Sequence, residues 1–369
     1  MGDEVVLVIV VATALAFDFT NGFHDTANAI ATSVSTRAMS PRTAVLMSAA
    51  LNFAGAFISL KVAATVASGI ADADAITTTV VFAGLIGAIA WNLATWWFGL
   101  PSSSSHALIG GVVGAAFVAD GPSAVFGDGL IEKVLVPGFV APVLAFAVAA
   151  LAIVVIYRMV GRLRPGYVTR GYRLGQIVTG GMFSLAHGTN DAQKTMGIIT
   201  LALIAHGNLP AEGFDVPIWV IVSSAAAIAL GTYTGGWRII RTMGSRIIKM
   251  DPAQGFSAQG AGAAVVLTAT HLGFPLSTTH VISGAVMGAG AAKRLSAVRW
   301  GIAGNIALAW VLTLPAAAVI GALVYAISSV FGGALGPVVV SAAALGLVGA
   351  AFARRLSQVR HEPIVAAEG

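Results

Sequence analysis

The sequence contains no cysteine, and charged residues make up only 9% of its 369 positions. Without cysteine the chain can form no disulfide, no thiolate nucleophile and no cysteine-ligated iron–sulfur cluster. Asp, Glu, Lys and Arg account for about a quarter of a typical soluble domain, so this composition cannot cover a water-facing surface. The 57% content of hydrophobic residues instead predicts a protein whose main solvent is the lipid bilayer.

Long apolar runs are distributed along the whole chain. Those at 136–156, 216–230 and 335–352 are each near the roughly 20 residues that a helix needs to cross a hydrocarbon core about 30 Å thick. The 44 glycines would let such helices approach closely, since lipid provides no hydrophobic drive for helix association. We therefore predict an all-α polytopic membrane protein.

Most basic residues lie in short stretches between the apolar runs rather than in one patch, so they indicate membrane topology, and the formal charge of +5 predicts no nucleic-acid partner. The positive-inside rule places basic connections in the cytoplasm and leaves acidic ones outside. The basic connections are Arg37 with Arg42, 158–173, 238–249, 293–299 and 354–360, and the acidic ones are Asp3 with Glu4, 71–74, 120–132 and 212–215. This predicts a multi-pass protein of the cell inner (plasma) membrane, with its N-terminus outside and its C-terminus cytoplasmic. The alternation works only if 77–119 and 255–292 are re-entrant helical hairpins.

Two motifs occur twice, in the same order and at a similar separation. Asn21-Gly-Phe-His-Asp-Thr-Ala-Asn28 matches Gly188-Thr-Asn-Asp-Ala-Gln-Lys194, and Pro101-Ser-Ser-Ser-Ser-His106 matches Pro275-Leu-Ser-Thr-Thr-His280. The basic connections give the two Asp motifs opposite directions, which predicts an inverted-topology repeat like that of many secondary transporters. The predicted organisation is a first repeat at 1–157, a basic cytoplasmic linker at 158–173, a second repeat at 174–353 and a cytoplasmic tail at 354–369.

Four ionisable residues lie deep in apolar segments, namely Asp18, Asp25, Asp191 and Lys194. Each costs at least about 2.5 kcal/mol on insertion scales, so a function is expected for them. A glycine near each Asp motif predicts broken helices, whose freed carbonyl oxygens would line a cavity. Carboxylate, amide and carbonyl oxygens are hard ligands, suited to sodium or a proton rather than to soft metals. The alternative is that these side chains are polar contacts between helices.

The Pro-(Ser/Thr)-rich-His motifs are typical of hairpin tips, where Pro ends one arm and the hydroxyl residues begin the next helix. Free backbone N–H groups and the positive end of the helix dipole would then face an anion. Further donors would be the hydroxyls of Ser103, Ser104, Ser105, Ser277, Thr278 and Thr279. His106 and His280 could donate to the anion, relay protons or gate the site, or simply hold the tips. The structural alternative for the hydroxyl residues is helix capping.

Two buried carboxylates beside an anion would repel it unless a cation or proton lies between them, which predicts cation-coupled symport. The repeat is unequal here, because Asn28 aligns with Lys194 and His24 aligns with Asn190. We expect the Lys194 ammonium to replace one bound cation beside Asp191, since a fixed positive charge pairs with the carboxylate without an ion. The alternative is that Lys194 extends to the membrane interface.

The segments Gly-Phe-His-Asp-Thr-Ala-Asn at 22–28, His-Gly-Thr-Asn-Asp-Ala-Gln-Lys at 187–194 and both Pro-to-His motifs resemble those of the inorganic phosphate transporter (PiT) family, along nearly the whole chain. This resemblance implies inorganic phosphate as the substrate, an inverted-repeat fold, and symport with sodium or protons. It also implies that Asp25, Asn28, Asn190 and Asp191 are substrate or cation ligands. His24 and Lys194 depart from the Asn that many members have, which puts a sodium mechanism in doubt. Similar bacterial permeases favour protons, and a neutral metal–phosphate complex is an implied alternative cargo.

These arguments assign the candidate residues to three groups. Substrate binding is assigned to Ser103, Ser104, Ser105, Ser277, Thr278, Thr279, Asn28 and Asn190; cation coupling to Asp25, Asp191, Lys194, His24 and Asn21; and gating or proton relay to His106 and His280. No cofactor and no resident metal are expected. The expected partners are inorganic phosphate, a coupling H⁺ or Na⁺, a divalent metal ion if one travels with phosphate, and the lipid bilayer. A homo-oligomer is left open.

Alternative functions follow from the same residues. Sulfate, another tetrahedral oxyanion, would fit the same donors. An intramembrane hydrolase could in principle use the Ser, His and Asp side chains, but a duplicated set is unlike a site with one nucleophile and one base. A passive anion channel is disfavoured by buried carboxylates near the anion. The sequence has no nucleotide-binding loop, which argues against direct drive by ATP.

Overall fold

The computed structural model describes residues 2–68, 76–125, 127–210 and 212–347. Over these ranges the chain is helical and has no β-strand, which confirms the all-α prediction. The helices are α1 Gly2–Ser35, α2 Pro41–Gly55, α3 Lys61–Ser68, α4 Thr78–Phe98, α5 Ser104–Asp120, α6 Gly127–Leu130, α7 Val136–Val160, α8 Pro165–Ala205, α9 Ile218–Thr234, α10 Trp237–Arg241, α11 Pro252–His271, α12 Thr278–Ala291, α13 Trp300–Phe331 and α14 Leu335–Leu347. The acidic connection at 71–74 and the predicted tail at 354–369 lie outside the described residues.

Four of the described helical segments are long and apolar enough to cross a membrane, and a bent pair would add a fifth. The four are Gly2–Ser35, Thr78–Phe98, Gly127–Val160 and Trp300–Phe331. The bent pair joins α9 to the short helical segment 237–246 at an angle of 59°. Of the predicted basic linker at 158–173, only 161–164 lies between helices, because α7 ends at Val160 and α8 begins at Pro165.

Pairs of helices lie at both predicted hairpin positions, while their re-entrant path in the membrane stays a prediction. The α4–α5 pair forms hairpin 1 and the α11–α12 pair forms hairpin 2, with their tips at 99–103 and 272–277. Each hairpin begins at an equivalent N-cap, since the side chain of Thr77 accepts a hydrogen bond from Val80 N and that of Asp251 accepts one from Gln254 N. At the tip of hairpin 1, Gly99 has φ +67°, a left-handed conformation that ends α4.

Glycines show how the hairpins pack against long helices of the opposite half. A Cβ atom at Gly110 of hairpin 1 would lie 2.4 Å from the carbonyl oxygen of Leu314 in α13. A Cβ atom at Gly284 of hairpin 2 would lie 2.3 Å from the carbonyl oxygen of Pro142 in α7. Hairpin 1 therefore packs on a helix of the second half, and hairpin 2 on a helix of the first.

The helices that carry the Asp motifs also pack against helices of the opposite half. Gly22 of α1 packs on α9, where a Cβ atom would lie 2.3 Å from the Ile228 oxygen, and Gly188 of α8 packs on α2, 2.2 Å from the Asn52 oxygen. Gly22 and Gly188 have the same offset of 166 positions as Asp25 and Asp191. The two halves thus make matching, reciprocal contacts, while their opposite orientation in the membrane stays a prediction.

The predicted breaks at the Asp motifs are not found. Helices α1 and α8 run without interruption through Asp25 and Asp191. The glycines taken as break points serve close helix packing instead, since any side chain at Gly22 or Gly188 would collide with a neighbouring backbone. Side chains rather than freed carbonyl groups of α1 and α8 therefore supply the polar atoms of the interior, and the chain interruptions lie at the hairpin tips.

Candidate functional site

Polar residues form a stripe along one face of α1 and along the face of α8 that packs against it. Residues three or four positions apart in a helix share a face. The stripe consists of Asp18, Asn21, Asp25 and Asn28 on α1, and of His187, Asp191 and Lys194 on α8; each of these residues is at most 2% exposed. Because buried polar groups are costly without partners, the contacts of each side chain indicate its role.

Asp25 is held by both hairpin tips. Ser104 of hairpin 1 donates to Asp25 Oδ2 at 3.2 Å, and Thr279 of hairpin 2 donates to Asp25 Oδ1 at 3.2 Å. The neighbouring His24 brings its Nδ1 atom to 2.6 Å from Asp25 Oδ1. One carboxylate of the first half thus gathers donors from both halves of the molecule.

Asn28 extends this arrangement by one helical turn. Its Nδ2 atom donates to Thr279 Oγ1 at 2.8 Å and lies 3.5 Å from Thr278 Oγ1. Asn28 therefore sits against the first turn of α12, where the sequence placed anion donors. Its own Oδ1 atom has no hydrogen-bond partner among the described residues.

Asp191 is held by Lys194 and by the second tip. The Lys194 Nζ atom donates to Asp191 Oδ1 at 2.5 Å, and Thr278 donates to Asp191 Oδ2 at 3.3 Å. Lys194 is 1% exposed, so its side chain stays inside the protein and does not reach the membrane interface. The ammonium thus occupies the position beside Asp191 at which the sequence analysis expected a fixed positive charge.

Lys194 also joins the two hairpin tips. Its Nζ atom donates to the carbonyl oxygen of Leu276 at 2.7 Å, and that oxygen also accepts a hydrogen bond from the Ser105 hydroxyl at 2.9 Å. A change in the position of the Lys194 ammonium would therefore act directly on the tip of hairpin 2.

Asp25, Asp191 and His187 form a compact cluster. Each offers one ligand atom, and these atoms all lie within 4.8 Å of one another. His187 Nε2 is 3.2 Å from Asp191 Oδ2, and its Nδ1 is 3.1 Å from Asn52 Oδ1. Sequence reasoning omitted His187 from the site, although its spacing of four residues from Asp191 on one helix face was a signal that could have found it.

His24 and Asn190 are equivalent in the repeat but contact different groups. His24 Nε2 lies 3.2 Å from Thr95 Oγ1 and 3.4 Å from the Ser102 hydroxyl. Asn190 Nδ2 donates to Thr270 Oγ1 at 2.7 Å and to the Phe274 carbonyl oxygen at 3.2 Å. Each side chain therefore fixes the end of a hairpin arm next to its tip.

Ser103 and Ser277 act as N-caps of α5 and α12. The Ser103 hydroxyl accepts from His106 N at 3.0 Å, and the Ser277 hydroxyl accepts from His280 N at 3.3 Å. A hydroxyl that accepts one bond keeps its own proton to donate, so capping and substrate binding are compatible. These caps orient the first turns that carry Ser104, Thr278 and Thr279.

His106 and His280 meet each other on the far side of the tips. Their ring centroids are 4.8 Å apart, and the His280 ring lies 4.2 Å from that of Trp310. Both line a mostly apolar cavity of about 690 Å³ that α7 and α13 also border. The structure thus brings the equivalent histidines of the two halves together. Among the described residues, no hydrogen bond is found between either histidine and Asp25 or Asp191.

Asn21 lies near Asp18 rather than in the Asp25 cluster. Thr195 and Asn21 adjoin the Asp18 carboxylate, which is completely buried. Neither carboxylate oxygen completes a hydrogen bond within the described residues. Asp18 is thus a second polar centre on α1, about 10 Å along the helix from Asp25 at a rise of 1.5 Å per residue.

The arrangement concentrates hydroxyl donors, an ammonium group and paired carboxylates in one buried region between two hairpin tips. The first backbone N–H groups of α5 and α12 begin at the same place, and helix N-termini of this kind favour anions. The carboxylates favour a cation or a proton. The region is therefore chemically suited to hold an anion and a cation side by side.

Comparisons with known proteins agree with this chemistry. A sequence profile of the phosphate transporter family matches residues 21–321. A protein of Mycobacterium bovis named "Probable low-affinity inorganic phosphate transporter" is 52% identical over 327 residues, which cover 89% of this chain and 78% of that protein. Proteins with the same name from Rhizobium meliloti and Bacillus subtilis are 52% and 45% identical, covering 86% and 87% of this chain and 95% and 96% of theirs.

A solved structure has a similar fold. The structure titled "The sodium-dependent phosphate transporter" superposes with a TM-score of 0.77 and 26% identity, and the match covers 87% of this chain and 98% of that one. The matched family and relatives are transporters, which rules out the hydrolase interpretation. Together with the long apolar helices described above, the profile match and the relatives show that this membrane-embedded chain belongs to the phosphate transporter family.

Proposed function

We propose that this chain imports inorganic phosphate by symport with a cation, and that the cation is a proton rather than sodium. The observation that carries the proposal is the convergence of both hairpin tips on Asp25 and Asp191. Ser104, Thr278 and Thr279 all donate to these two carboxylates, and the carboxylates belong to one cluster whose ligand atoms lie within 4.8 Å of each other. Names of the relatives support phosphate as the cargo.

Phosphate would replace the carboxylates as the acceptor of the tip donors. Ser104, Thr278 and Thr279 present hydroxyl groups at helix N-termini, where backbone N–H groups and the helix dipole also favour an anion. Asn28 adds an amide donor at the first turn of α12. The capping serines, Ser103 and Ser277, and Ser105 shape the two tips and can donate at their edges.

A cation is needed because the anion would otherwise face negative charge. Lys194 forms a buried ion pair with Asp191, and such a fixed charge takes the place of a bound cation there, which favours a proton as the mobile cation. His24 lies beside Asp25 and can carry a positive charge when it is protonated. The net charge of the loaded site thus depends on protonation rather than on a bound metal alone.

Alternating access would move the hairpins against the helices of the opposite half. In the predicted orientation, with the N-terminus outside, hairpin 1 enters from outside and hairpin 2 from the cytoplasm. The tips meet through the hydrogen bond from Ser105 to the Leu276 oxygen, so each tip can close one side of a central site. This is the motion expected of inverted repeats that share a site near the midplane.

A metal–phosphate complex is a second candidate cargo, favoured by the cluster of Asp25, His187 and Asp191. Two carboxylates and one imidazole suit a divalent first-row metal ion. A metal held there would contact phosphate held by the tips, and the pair would cross the membrane together. In this case removing divalent metal with a chelator would reduce phosphate uptake.

The test is uptake of radiolabelled phosphate into proteoliposomes that contain the purified full-length chain. We expect uptake to rise with an inward proton gradient, to ignore a sodium gradient, and to resist competition by excess sulfate. Uptake that responds to neither gradient would contradict symport, and equal competition by sulfate would favour a general oxyanion permease. Liposomes without protein are the control.

A further inference from the structure

Asp18 is a buried carboxylate that the phosphate site does not use. It is 0% exposed, and neither of its oxygens has a hydrogen-bond partner in the described part of the chain. The Asn21 Oδ1 and Thr195 Oγ1 atoms beside it are also buried and unpaired. An ionised carboxylate in such surroundings is unfavourable, because no hydrogen bond found among the described residues replaces its hydration.

Most of the unpaired atoms around Asp18 are hydrogen-bond acceptors that lack a donor. Both Asp18 oxygens and Asn21 Oδ1 are hydrogen-bond acceptors, and the donors beside Asp18 are the Thr195 hydroxyl and the Asn21 amide nitrogen. A proton on Asp18 would supply the missing donor, since the new O–H group could donate to Asn21 Oδ1 while Thr195 donates to the other oxygen. The unpaired side-chain oxygens of Asp18, Asn21 and Thr195 number four, fewer than the about six oxygen ligands that a hard metal cation such as Mg²⁺ takes.

From this geometry we propose that Asp18 is the residue that carries the coupling proton, which rests on the proposed proton symport. Asp18 is influenced by two charged groups. These are Asp191 and Lys194, both on α8. The helices α4 and α9 also pack on α1 but contain no acidic or basic residue, and the titratable side chain of α9, Tyr233, is exposed.

Lys194 connects Asp18 to the substrate region. With Asp18 protonated and neutral, the Lys194 ammonium remains bonded to Asp191 and to the Leu276 oxygen at the tip of hairpin 2. With Asp18 ionised, its negative charge attracts the same ammonium and weakens the hold on the tip. A proton on Asp18 therefore favours the arrangement of the tip that this structure shows, and its release favours another.

The position of Asp18 suits an entry point for protons. It lies about two helical turns closer to the N-terminus of α1 than Asp25 does. In the predicted orientation this side faces outside, so a proton that comes from outside reaches Asp18 before it reaches the phosphate site. The proton on Asp18 is carried inward with phosphate and leaves from the cytoplasmic side, and no bond other than its O–H bond is formed or broken.

The experiment compares Asp18→Asn with wild type and with Asp3→Asn, in which an exposed acidic residue of α1 is neutralised. Asn resembles the protonated acid but cannot release a proton. In Asp18→Asn we expect phosphate-for-phosphate exchange at equal pH to stay within about twofold of wild type, and uptake driven by a proton gradient to fall at least about tenfold. Asp3→Asn should match wild type in both assays.

Several outcomes separate this proposal from the proposed function. Wild-type uptake that no gradient stimulates would contradict the proposed function itself. Proton-driven uptake that persists in Asp18→Asn would overturn only the role of Asp18. Wild-type uptake driven by sodium would contradict both the choice of a proton in the proposed function and the role of Asp18. If Asp18→Asn cannot be reconstituted, infrared spectra of wild type and Asp18→Glu decide the question. We expect a protonated carboxyl band that shifts in Asp18→Glu, and the lack of such a band would refute the proposal.

Discussion

Asp25 on α1 and Asp191 on α8 occupy equivalent positions of the repeat, but their charged neighbours differ. Asp25 has the imidazole of the adjacent His24 at 2.6 Å. Asp191 has Lys194 at 2.5 Å, a partner that is normally charged, and His187 at 3.2 Å. The two equivalent carboxylates therefore have different partners, an imidazole beside Asp25 and an ammonium with a second imidazole beside Asp191.

A second difference between the two halves lies one or two helical turns from these carboxylates. The repeat offset of 166 positions aligns Asp18 with Ser184 and Asn28 with Lys194. Among the described residues, the first half thus has two buried carboxylates with no lysine bonded to them, and the second half has one buried carboxylate bonded to a lysine. Since symmetry is kept in the packing glycines and in the helix caps, we propose that the residues that differ in charge are the ones that couple transport to a cation.

The largest expected effect comes from removing the paired carboxylates. We expect both Asp25→Asn and Asp191→Asn to reduce phosphate uptake at least about a hundredfold, because each removes an anchor of the hairpin tips worth about 3 kcal/mol or more. The two should differ in stability, since only Asp191→Asn leaves a buried ammonium unpaired. Thermal unfolding of the detergent-purified variants and uptake in proteoliposomes measure the two effects.

A double variant sharpens this comparison. Asp191→Asn combined with Lys194→Met removes both charges of the buried pair, so it should recover most of the stability that Asp191→Asn loses while uptake stays low. The same Lys194→Met change added to Asp25→Asn should recover none. Uptake at the wild-type rate in either single variant would make that carboxylate a structural residue.

An intermediate effect is expected when the second half is made to resemble the first. Lys194→Asn removes the fixed ammonium, so Asp191 then needs a mobile cation, and removing one partner of a buried ion pair costs about 3–5 kcal/mol. We expect uptake to fall about tenfold at neutral pH and to recover partly when sodium is added or the pH is lowered. Phosphate uptake measured across a range of sodium concentration and pH would show this, and an unchanged cation dependence would argue against the fixed-charge role of Lys194.

The smallest effect is expected at the helix caps, where the halves are alike. Ser103→Ala and Ser277→Ala should each lower stability by about 1 kcal/mol and reduce uptake severalfold, since each cap orients a first turn that carries donors. Ser40→Ala is the matched control, because Ser40 caps the exposed start of α2 by the same bond. It should lose similar stability without losing uptake. Equal uptake in all three variants would show that the tips tolerate loss of their caps.

Much of the fold was predictable because it depends on local sequence. The hairpins at 77–119 and 255–292 follow from apolar arms separated by Pro, Ser and Thr, and the observed helices begin and end close to these bounds. The candidate hydroxyl donors were predictable for the same reason, since residues that begin a helix are marked by its N-cap. The polar spacing on α8 would also have indicated His187.

The expected helix breaks were wrong because glycine has two uses that sequence alone does not separate. Gly22 and Gly188 could have marked a break in a helix or a close contact between helices. The structure shows close contacts, since the carbonyl oxygens of Ile228 and Asn52 occupy the space that a side chain would need. Each partner lies on a helix of the opposite half, so no local pattern reveals the choice.

By itself the sequence determined that the chain is helical and membrane-embedded, that it is duplicated, and that each half carries one buried carboxylate motif and one hydroxyl-rich tip. These properties follow from composition and from spacing along a helix. Only the tertiary structure decided which tip meets which carboxylate, that Lys194 bonds to Leu276 of the facing tip, and that Asp18 has no hydrogen-bond partner among the described residues. Those facts depend on distances between residues far apart in sequence. Such distances are set when the helices of each half pack against helices of the other half.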